Sequence, residues 1–522
     1  MNPYLDGAVI IDCNNDTTNN LRPRAHTLRT LAPMALHNTV IDYGLPATLF
    51  DYFYAWDNHD LMNYVVMWCE KHNVKKPLLL TSALLNARII KPGNKLHQFV
   101  SLFRQQYPQS KYFTGGPGAM NYEQEDNIKP DAVFRGRSLH LFEHWLHSPD
   151  EPALDTITVE YDRPVYHKRS LTVTEDPIVP KLYDDYCLTE NDIVSFESKL
   201  GCKFNCTFCN FEFRAAKHTT VSDAENMHEF FHTAINKYGV RYFSCVDDTF
   251  NEDDAKVDNL LEATKPLSTK PIIAGYSRFD VLKARPWQME KLDQCGFWSH
   301  GFGIETLHRE ASKNIRKGIH RDDAFKFIED ELRSQYPHWW LATGMIMGIP
   351  PEPLAYFIET WDLVAQRNIF DGFYINPLGI YSNSVGAVHE ETQADIYKNP
   401  EKYGITITGS VPDRPWLKNW KHEQMDFMTA RTYSLRIAQK AYKRGVTLLD
   451  AWEAITRSAL GIADLFDVDA KTAYRQAQSD NPQKLQHSAF ADGPFVNSEF
   501  YEAANTHVNR YIKLKKNYIA SL

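Results

Sequence analysis

The chain is predicted to be an α/β protein, because short apolar runs rich in β-branched residues alternate with helical stretches along most of its 522 residues. Strands that alternate with helices are typical of parallel sheets covered by helices. Residues 1–150 predict a doubly wound, Rossmann-like sheet, and residues 191–385 repeat the β-α pattern about six times. Residues 386–522 carry amphipathic stretches and predict a mainly helical region, while residues 151–190 are interpreted as a linker.

The N-terminal prediction rests on short apolar runs separated by amphipathic stretches. The predicted strands cover residues 8–12, 39–42, 77–82, 111–114 and 131–134. The intervening sequences DLMNYVVMWCEKHN and LHQFVSLFRQQYP carry apolar side chains at helical spacing. Ligands of doubly wound sheets bind beyond the carboxyl ends of the strands, which is where Ser82 and the pair Gly115-Gly116 fall.

The central segment contains six predicted strands with helices between them. They cover residues 193–198, 241–250, 271–280, 297–306, 339–350 and 370–381. Polar and glycine residues that could serve a site fall towards the ends of these runs. Farther along, the segment 409–420, which is rich in Pro and Trp, predicts a loop.

Composition excludes several classes of function. A formal net charge of −9 argues against broad binding to a phosphate backbone. No run of apolar residues is long enough to predict a transmembrane helix. The start, MNPYLDGAVIIDCNND, lacks the cationic beginning of a secretory leader. The sequence therefore predicts a cytoplasmic protein that acts on a small molecule rather than on a membrane or a nucleic acid.

The most informative motif is a group of three cysteines in the segment GCKFNCTFCNF. Cys202, Cys206 and Cys209 follow the spacing C-x3-C-x2-C. Three thiolates from one loop can bind three irons of a [4Fe–4S] cube and leave the fourth iron open for another ligand. Two alternatives stay open on spacing alone: a zinc site with His218 as the fourth ligand, or a disulfide with a spare thiol.

This spacing resembles the signature of the radical S-adenosylmethionine (SAM) superfamily, and the six β-α units resemble the partial (β/α)6 barrel of that family. The resemblance implies that the amino and carboxylate groups of SAM bind the open iron. It further implies that an electron from the cluster, delivered by a donor such as flavodoxin or ferredoxin, cleaves SAM to a 5′-deoxyadenosyl radical.

The resemblance also assigns expected roles to residues near the strand ends. Phe208 would shield the adenine and the cluster, and Asp247 and Asp248 would bind the amino group of SAM. Arg278 would pair with the SAM carboxylate, and Glu305 would accept hydrogen bonds from the ribose. The strand that packs on adenine in this family is matched by Gly344, Ile346 and Gly348.

The N-terminal segment resembles the cobalamin-binding domain found in one branch of the superfamily. Ser82 and the glycines Gly115 and Gly116 match its S-x-L and G-G motifs. The D-x-H-x-x-G motif, whose histidine ligates cobalt, is absent, because Asn14 stands two residues after Asp12. The resemblance therefore leaves cobalamin binding open.

The expected function is radical functionalisation of a C–H bond on a small-molecule substrate, with methyl transfer as its form if cobalamin binds. A cobalamin-free rearrangement, dehydrogenation or epimerisation is the alternative. A non-catalytic metal-binding protein is the second alternative. The sequence identifies neither the substrate nor a catalytic acid, base or thiol.

Overall fold

The structure is a computed structural model of the chain. It describes residues 2–13, 27–82, 95–115, 130–135, 137–150, 157–160, 163–167, 176–211, 215, 220–381, 394–412, 414–444, 449–480 and 498–522. Among these residues, no helix is both long and apolar enough to cross a membrane.

The N-terminal part is built around a seven-stranded sheet. Its elements, with the short strand β2 that joins another sheet, are β1 Gly7–Asp12, β2 Leu28–Arg29, α1 Leu31–Asp42, β3 Ala47–Phe50, α2 Asn58–Lys71, β4 Pro77–Ser82, α3 Lys95–Gln106, β5 Tyr112–Gly115, β6 Ala132–Arg135, α4 Leu139–His147, β7 Ile157–Glu160 and β8 Arg163–His167. The strand order is β3-β1-β4-β5-β6-β8-β7, and only β7 runs antiparallel to its neighbour. In such doubly wound sheets the ligand crevice lies where the strand order reverses, which here is between β1 and β4.

One strand prediction in this region is wrong. Residues 39–42 form the end of helix α1, and the strand is the following segment, Ala47–Phe50. A segment as short as TVID, with two β-branched apolar residues, cannot distinguish a strand from the buried end of a helix, and here Val40 packs in the core as a helical residue.

The central part is a sheet of six parallel strands in sequence order, wrapped by helices, as predicted. Its elements are β9 Ile193–Phe196, β10 Lys199–Leu200, β11 Thr220–Val221, α5 Ala224–Tyr238, β12 Tyr242–Cys245, α6 Asp254–Thr264, β13 Ile272–Ser277, α7 Phe279–Ala284, α8 Trp287–Gln294, β14 Ser299–Glu305, α9 Arg309–Asn314, α10 Arg321–Phe327, α11 Arg333–Gln335, β15 Trp340–Met347, α12 Leu354–Arg367 and β16 Gly372–Pro377. The order β9-β12-β13-β14-β15-β16 is that of an open (β/α)6 barrel, and β10 and β11 form a separate two-stranded ribbon.

Strand β2 links the two main sheets. It lies between β1 and α1 in sequence, yet it pairs in parallel with β9 at the outer edge of the barrel sheet. The N-terminal part therefore contributes a strand to the central part, and the two are joined by backbone hydrogen bonds as well as by the chain.

The C-terminal part contains helices and a small antiparallel sheet. Its elements are α13 Asp395–Lys398, β17 Thr406–Val411, β18 Arg414–His422, β19 Met425–Asp426, α14 Phe427–Lys443, α15 Ala451–Ala459, α16 Val468–Asp480 and α17 Ser498–Ser521. The loop predicted for 409–420 is wrong, because strands β17 and β18 pair there. Pro412 and Pro415 suggested a break, but Pro412 lies in the turn between the two strands and Pro415 is the second residue of β18, close to the start of that strand.

Helix α15 fills the lower half of the inner face of the barrel. Trp452 donates from its indole nitrogen to Ser244 Oγ of β12 at 2.8 Å and packs on Tyr276 of β13, with ring centroids 4.6 Å apart. Ser299 Oγ of β14 donates to the Ala451 carbonyl at 2.7 Å. The inner face thus has a closed floor, and a ligand must bind towards the carboxyl ends of the strands.

Candidate functional site

Strand alternation brings several predicted site residues to the inner face of the barrel. Ser244, Tyr276 and Gly301 contact Trp452 on that face. Three predicted residues lie nearer the carboxyl ends of these strands: Arg278 contacts Cys206, Glu305 lies near Arg278 and Lys317, and Asp248 lies near Cys209. They therefore surround the upper half of the inner face, above the floor made by α15.

The cysteine loop follows β9 and lies at this edge. Each of its three sulfurs has a hydrogen-bonding group beside it. The distances are 3.6 Å from Cys202 Sγ to Thr249 Oγ1, 3.2 Å from Arg278 Nη1 to Cys206 Sγ and 3.5 Å from the Phe211 amide nitrogen to Cys209 Sγ. Hydrogen bonds to ligand sulfurs are typical of iron–sulfur sites, so this donor set fits a cluster.

Cys202 and Cys206 of this loop are buried, and Cys209 is half-buried. Burial raises the pKa of Cys209 to about 12, and burial also raises the pKa of Cys202. Without a metal the thiols of Cys202 and Cys209 hold their protons at neutral pH. Cluster assembly must therefore displace those protons, which couples metal binding to pH.

The described residues contain no group of three or more His, Cys, Asp or Glu side chains placed to hold a single metal ion. The sulfurs of a cube bind three different irons and need not converge on one point. His218, the fourth ligand of the zinc alternative, lies outside the described residues.

The two neighbouring aspartates after β12 have different surroundings. Asp247 is buried, and it accepts hydrogen bonds from the Ser198 amide and hydroxyl at 2.8 and 2.6 Å. Lys256 Nζ of α6 lies 2.5 Å from its other side. Asp247 therefore ties β9, β12 and α6 together, and it has little capacity left for a ligand.

Asp248 is half-buried, and burial raises the pKa of its carboxyl to about 7, with further contributions from Asp247 and Glu197. No ion pair to this carboxyl is found in the part of the chain that the structure describes. A cation would offset the cost of burying it. Of the two aspartates, Asp248 is the one that fits the ammonium group of SAM.

We expect the Asp248→Asn variant to bind SAM about 10- to 100-fold more weakly, because a hydrogen bond to a charged group contributes roughly 1.5–3 kcal/mol. Affinity of the unmodified protein should fall as pH drops through about 7, where Asp248 gains a proton, and the variant should lose that dependence. Equilibrium dialysis of SAM across this range measures both effects.

The Asp247→Asn variant serves as the contrast. We expect it to lower the free energy of unfolding, since Lys256 would lose its buried partner, and to retain a pH dependence of SAM binding that is shifted to lower pH, since the charge of Asp247 no longer raises the pKa of Asp248. Equal affinity and equal pH dependence in the Asp248→Asn variant and the unmodified protein would contradict the assignment.

Glu305 ends β14 in a strained conformation. Its φ is +67°, and the register with β15 shifts between Gly303 and Glu305. Burial raises the pKa of Glu305, and the nearby cations Lys317 and Arg278 counteract that rise. Strained residues of this kind concentrate at ligand sites, and a carboxyl here can accept hydrogen bonds from hydroxyl groups.

Phe208 and Ile346 lie in the same apolar cluster, where both pack on Ile315 and its buried neighbours. Lys317 Nζ lies 5.9 Å from the centre of the Phe208 ring and donates to the Gly303 carbonyl at 2.7 Å. The structure thus brings together an aromatic ring and an aliphatic side chain that can contact the two faces or the edge of a flat ring.

The glycines of β15 give room to protein side chains. A Cβ on Gly344 would lie 2.4 Å from the Tyr374 hydroxyl, and a Cβ on Gly348 would lie 2.3 Å from Trp420. Gly348 also has a φ of +101°. Trp420 is fully buried and donates from its indole to the Leu378 carbonyl at 2.8 Å. Both glycines therefore shape the inner face through neighbouring aromatic residues.

We expect the Gly348→Ala variant to lose about 2 kcal/mol or more of unfolding free energy, because the added methyl group both strains the backbone and overlaps Trp420. Gly404→Ala is the matched control: its φ is +72°, but nothing lies within 4 Å of a Cβ there. Urea unfolding followed by tryptophan fluorescence should show a clearly smaller loss for the control. Equal losses would indicate that Trp420 is not in contact.

At the carboxyl ends of the strands of the N-terminal sheet, the residues that match the cobalamin-binding motifs are neighbours. Asp12 pairs with Ser82, and Ser82 pairs with Gly115, across β1, β4 and β5. Thr30 donates to Asp12 Oδ2 at 2.8 Å. Gly116 and Asn14 lie outside the described residues. Asp12 and Ser82 flank the point where the strand order reverses, the place expected for a ligand.

An ion pair that the sequence did not predict joins the two sheets at the carboxyl ends of their strands. Arg137, just after β6, donates to both carboxylate oxygens of Glu197, just after β9, at 2.6 and 2.8 Å. The Ile178 amide donates to the same carboxylate at 2.9 Å. These residues are 60 positions apart in different structural units, so no local spacing could have signalled the pair.

Comparisons with known proteins agree with this arrangement. Residues 197–364 match the family model of the radical SAM superfamily. No curated protein matches the chain in sequence. The fold is similar to that of the radical SAM methyltransferase TsrM from Kitasatospora setae, solved with tryptophan substrate and a SAM analogue bound. The TM-score is 0.58 at 10% identity, over 91% of this chain and 100% of that one.

A second similar structure is the cobalamin-dependent SAM radical enzyme OxsB with aqua-cobalamin bound. The TM-score is 0.55 at 12% identity, covering 99% of this chain and 81% of that one. At such identities the likeness concerns the fold, and it extends over the N-terminal sheet as well as the barrel. Residues 197–364 are therefore assigned to a radical SAM domain, and the fold of the whole chain is similar to that of cobalamin-dependent radical SAM enzymes.

Proposed function

We propose that this enzyme cleaves SAM at a cluster held by Cys202, Cys206 and Cys209 and transfers a methyl group through cobalamin to a small-molecule substrate. When bound, the cluster supplies the electron that cleaves SAM, and cobalamin supplies a carrier for the methyl group. An external protein such as flavodoxin or ferredoxin would deliver the electron.

The protein's own residues position these groups. Asp248 fits the ammonium group of SAM, Glu305 fits the ribose hydroxyls, and Phe208 with Ile346 offers an apolar contact for adenine. Trp452 occupies the inner face of the barrel below the carboxyl ends of the strands. A ligand is therefore confined to the carboxyl ends, near the cysteine loop.

The observation that carries the cobalamin part of the proposal is the pair Arg137–Glu197. Arg137 follows a strand of the doubly wound sheet, and Glu197 follows a strand of the barrel. Ligands of both sheet types bind at these carboxyl ends. A cobalamin bound at the carboxyl ends of the doubly wound sheet would therefore lie on the side of that sheet that adjoins the SAM site of the barrel.

A second candidate is a radical rearrangement, dehydrogenation or epimerisation without cobalamin. It is favoured by Asn14, which occupies the place where a cobalt-ligating histidine would stand. It uses the same SAM site and differs only in the fate of the radical and in the absence of a methyl carrier.

The test is anaerobic purification with analysis of iron, sulfide and cobalt, followed by reaction of the dithionite-reduced protein with SAM. Iron near four per chain together with 5′-deoxyadenosine supports SAM cleavage. Bound cobalamin together with S-adenosylhomocysteine supports methyl transfer, whereas 5′-deoxyadenosine without cobalt supports the second candidate. A fully loaded cluster that yields neither nucleoside would contradict both and favour a non-catalytic protein.

A further inference from the structure

The guanidinium of Arg278 lies directly against one of the three cysteines. Its Nη1 donates to Cys206 Sγ at 3.2 Å. The side chain is buried, and its guanidinium carbon lies 3.8 Å from the centre of the Phe204 ring, within the same loop. Arg278 therefore fills the space between the end of β13 and the cysteine loop.

The rest of the guanidinium is committed to protein groups. Nε and Nη2 donate to the two carboxylate oxygens of Asp280 at 2.9 and 2.6 Å, and Nη2 also donates to the Arg316 carbonyl at 3.2 Å. A guanidinium has five N–H groups. Four of them are used here, which fixes the planar fork in one orientation, with the Nη1 edge towards the sulfur.

This placement has an electrostatic consequence for a cluster bound by the loop. An iron–sulfur cube with three thiolates carries net negative charge, and reduction by one electron adds to it. A fixed positive charge and an N–H···S hydrogen bond both favour the more negative state, and burial strengthens the effect. Asp280 offsets part of the charge, but it lies on the side of the guanidinium away from Nη1.

We propose that Arg278 is a positioning residue that raises the reduction potential of the cluster through its hydrogen bond to Cys206, in place of the SAM carboxylate contact expected from the sequence. The proposal rests on the cluster of the proposed function and on no step after SAM binding. Asp280 and Phe204 hold the guanidinium in place for this role.

The two roles give different results in protein that contains no SAM. A carboxylate ligand of SAM affects SAM affinity and leaves the potential of the SAM-free cluster unchanged. A donor to Cys206 changes that potential directly. The experiment is an EPR-monitored redox titration of anaerobically reconstituted full-length protein without SAM, with iron and sulfide counted in each sample.

The test variant is Arg278→Gln, and Arg316→Gln is the matched control. Arg316 is exposed, and its side chain donates to the Asn205 carbonyl of the same loop at 3.0 Å without touching a sulfur. We expect the variant to disfavour reduction at least tenfold, a fall of about 59 mV for one electron, and the control to change the potential far less.

Arg278→Lys keeps the charge but cannot reproduce the fork, and its midpoint should lie between those of Arg278→Gln and the unmodified protein. If Arg278→Gln fails to load iron, the midpoint potential of Arg278→Lys tests the proposal. An unchanged midpoint in fully loaded Arg278 variants, with weaker SAM binding, would overturn the proposal and restore the carboxylate role. An unmodified protein that loads no cluster would contradict the proposed function instead.

Discussion

Replacing Cys206 by alanine is expected to abolish both stable cluster binding and the formation of 5′-deoxyadenosine. Two thiolates from Cys202 and Cys209 leave two irons of the cube without protein ligands, and the loop has no described histidine or carboxylate converging on the gap. Removing Cys206 also leaves the buried Arg278 Nη1 without its sulfur acceptor. Iron and sulfide analysis after anaerobic reconstitution and the visible absorption spectrum measure the loss.

The matched control for this variant is Cys295→Ala. Cys295 is a fully buried thiol of the same barrel, outside the loop, and its Sγ donates to the Leu292 carbonyl at 3.3 Å. It should retain iron near the level of the unmodified protein and still cleave SAM. A Cys206→Ala protein that keeps four irons and its activity would show that the loop is not the cluster site.

The fold class and the radical SAM domain were predictable because their signals are local. Alternating strands and helices can be recognised from apolar spacing, and C-x3-C-x2-C lies within eight residues of sequence, from Cys202 to Cys209. Local signals led to wrong predictions of secondary structure in two short segments. At residues 39–42 the short segment TVID fits a helix end as well as a strand, and at 409–420 the two prolines favoured a loop where the structure has paired strands.

The sequence indicated candidate site residues but not the contacts that they make in the fold. Asp247 and Asp248 look equivalent in sequence, yet Asp247 pairs with Lys256, whereas Asp248 has no ion pair among the described residues and lies near Cys209 of the cysteine loop. Arg278, expected from the sequence to pair with the SAM carboxylate, contacts Cys206 in the structure, a partner that the sequence did not indicate. Such differences depend on which partners the fold brings together from distant segments, and the pair Arg137–Glu197 is of the same kind.

The position of helix α15 on the inner face of the barrel was likewise not predictable from the sequence. Trp452 belongs to a helix recognisable from its amphipathic pattern, but the pattern does not say which surface the helix covers. Only the fold shows that it lies on β12, β13 and β14, beneath the predicted SAM site. Long-range packing of this kind defines the lower boundary of the ligand site, although no residue of the helix belongs to a cofactor motif.

A buried ionic network joins the N-terminal sheet, the barrel and the last helix. Arg29 of β2 donates to Asp192 Oδ1 at 2.6 Å and to Asp51 Oδ2 at 2.5 Å, and all three side chains are almost fully buried. The rings of Tyr52 and Tyr511 lie 5.0 and 4.5 Å from the guanidinium carbon. Since Tyr511 belongs to α17, Arg29 connects segments that are far apart in sequence.

We expect Arg29→Met to lower the free energy of unfolding by about 3–5 kcal/mol, because it leaves two buried carboxylates without their shared cation. Urea unfolding of the full-length protein measures the loss. The exposed pair Lys181–Asp42 provides the control, since Lys181→Met should cost less than about 1 kcal/mol.

The pH dependence of the loss gives a second check on its cause. Burial tends to raise the pKa of Asp192, but Arg29 and His507 hold it below its usual value. An acid with a depressed pKa contributes stability that is lost as pH falls through its folded-state value.

Without Arg29 the carboxyls of Asp192 and Asp51 should have higher pKa values and accept protons in mild acid. The deficit of Arg29→Met should therefore be smaller at about pH 5 than at about pH 8, because protonation removes the unpaired buried charge. A deficit independent of pH would instead indicate that Arg29 acts through packing against the two tyrosine rings.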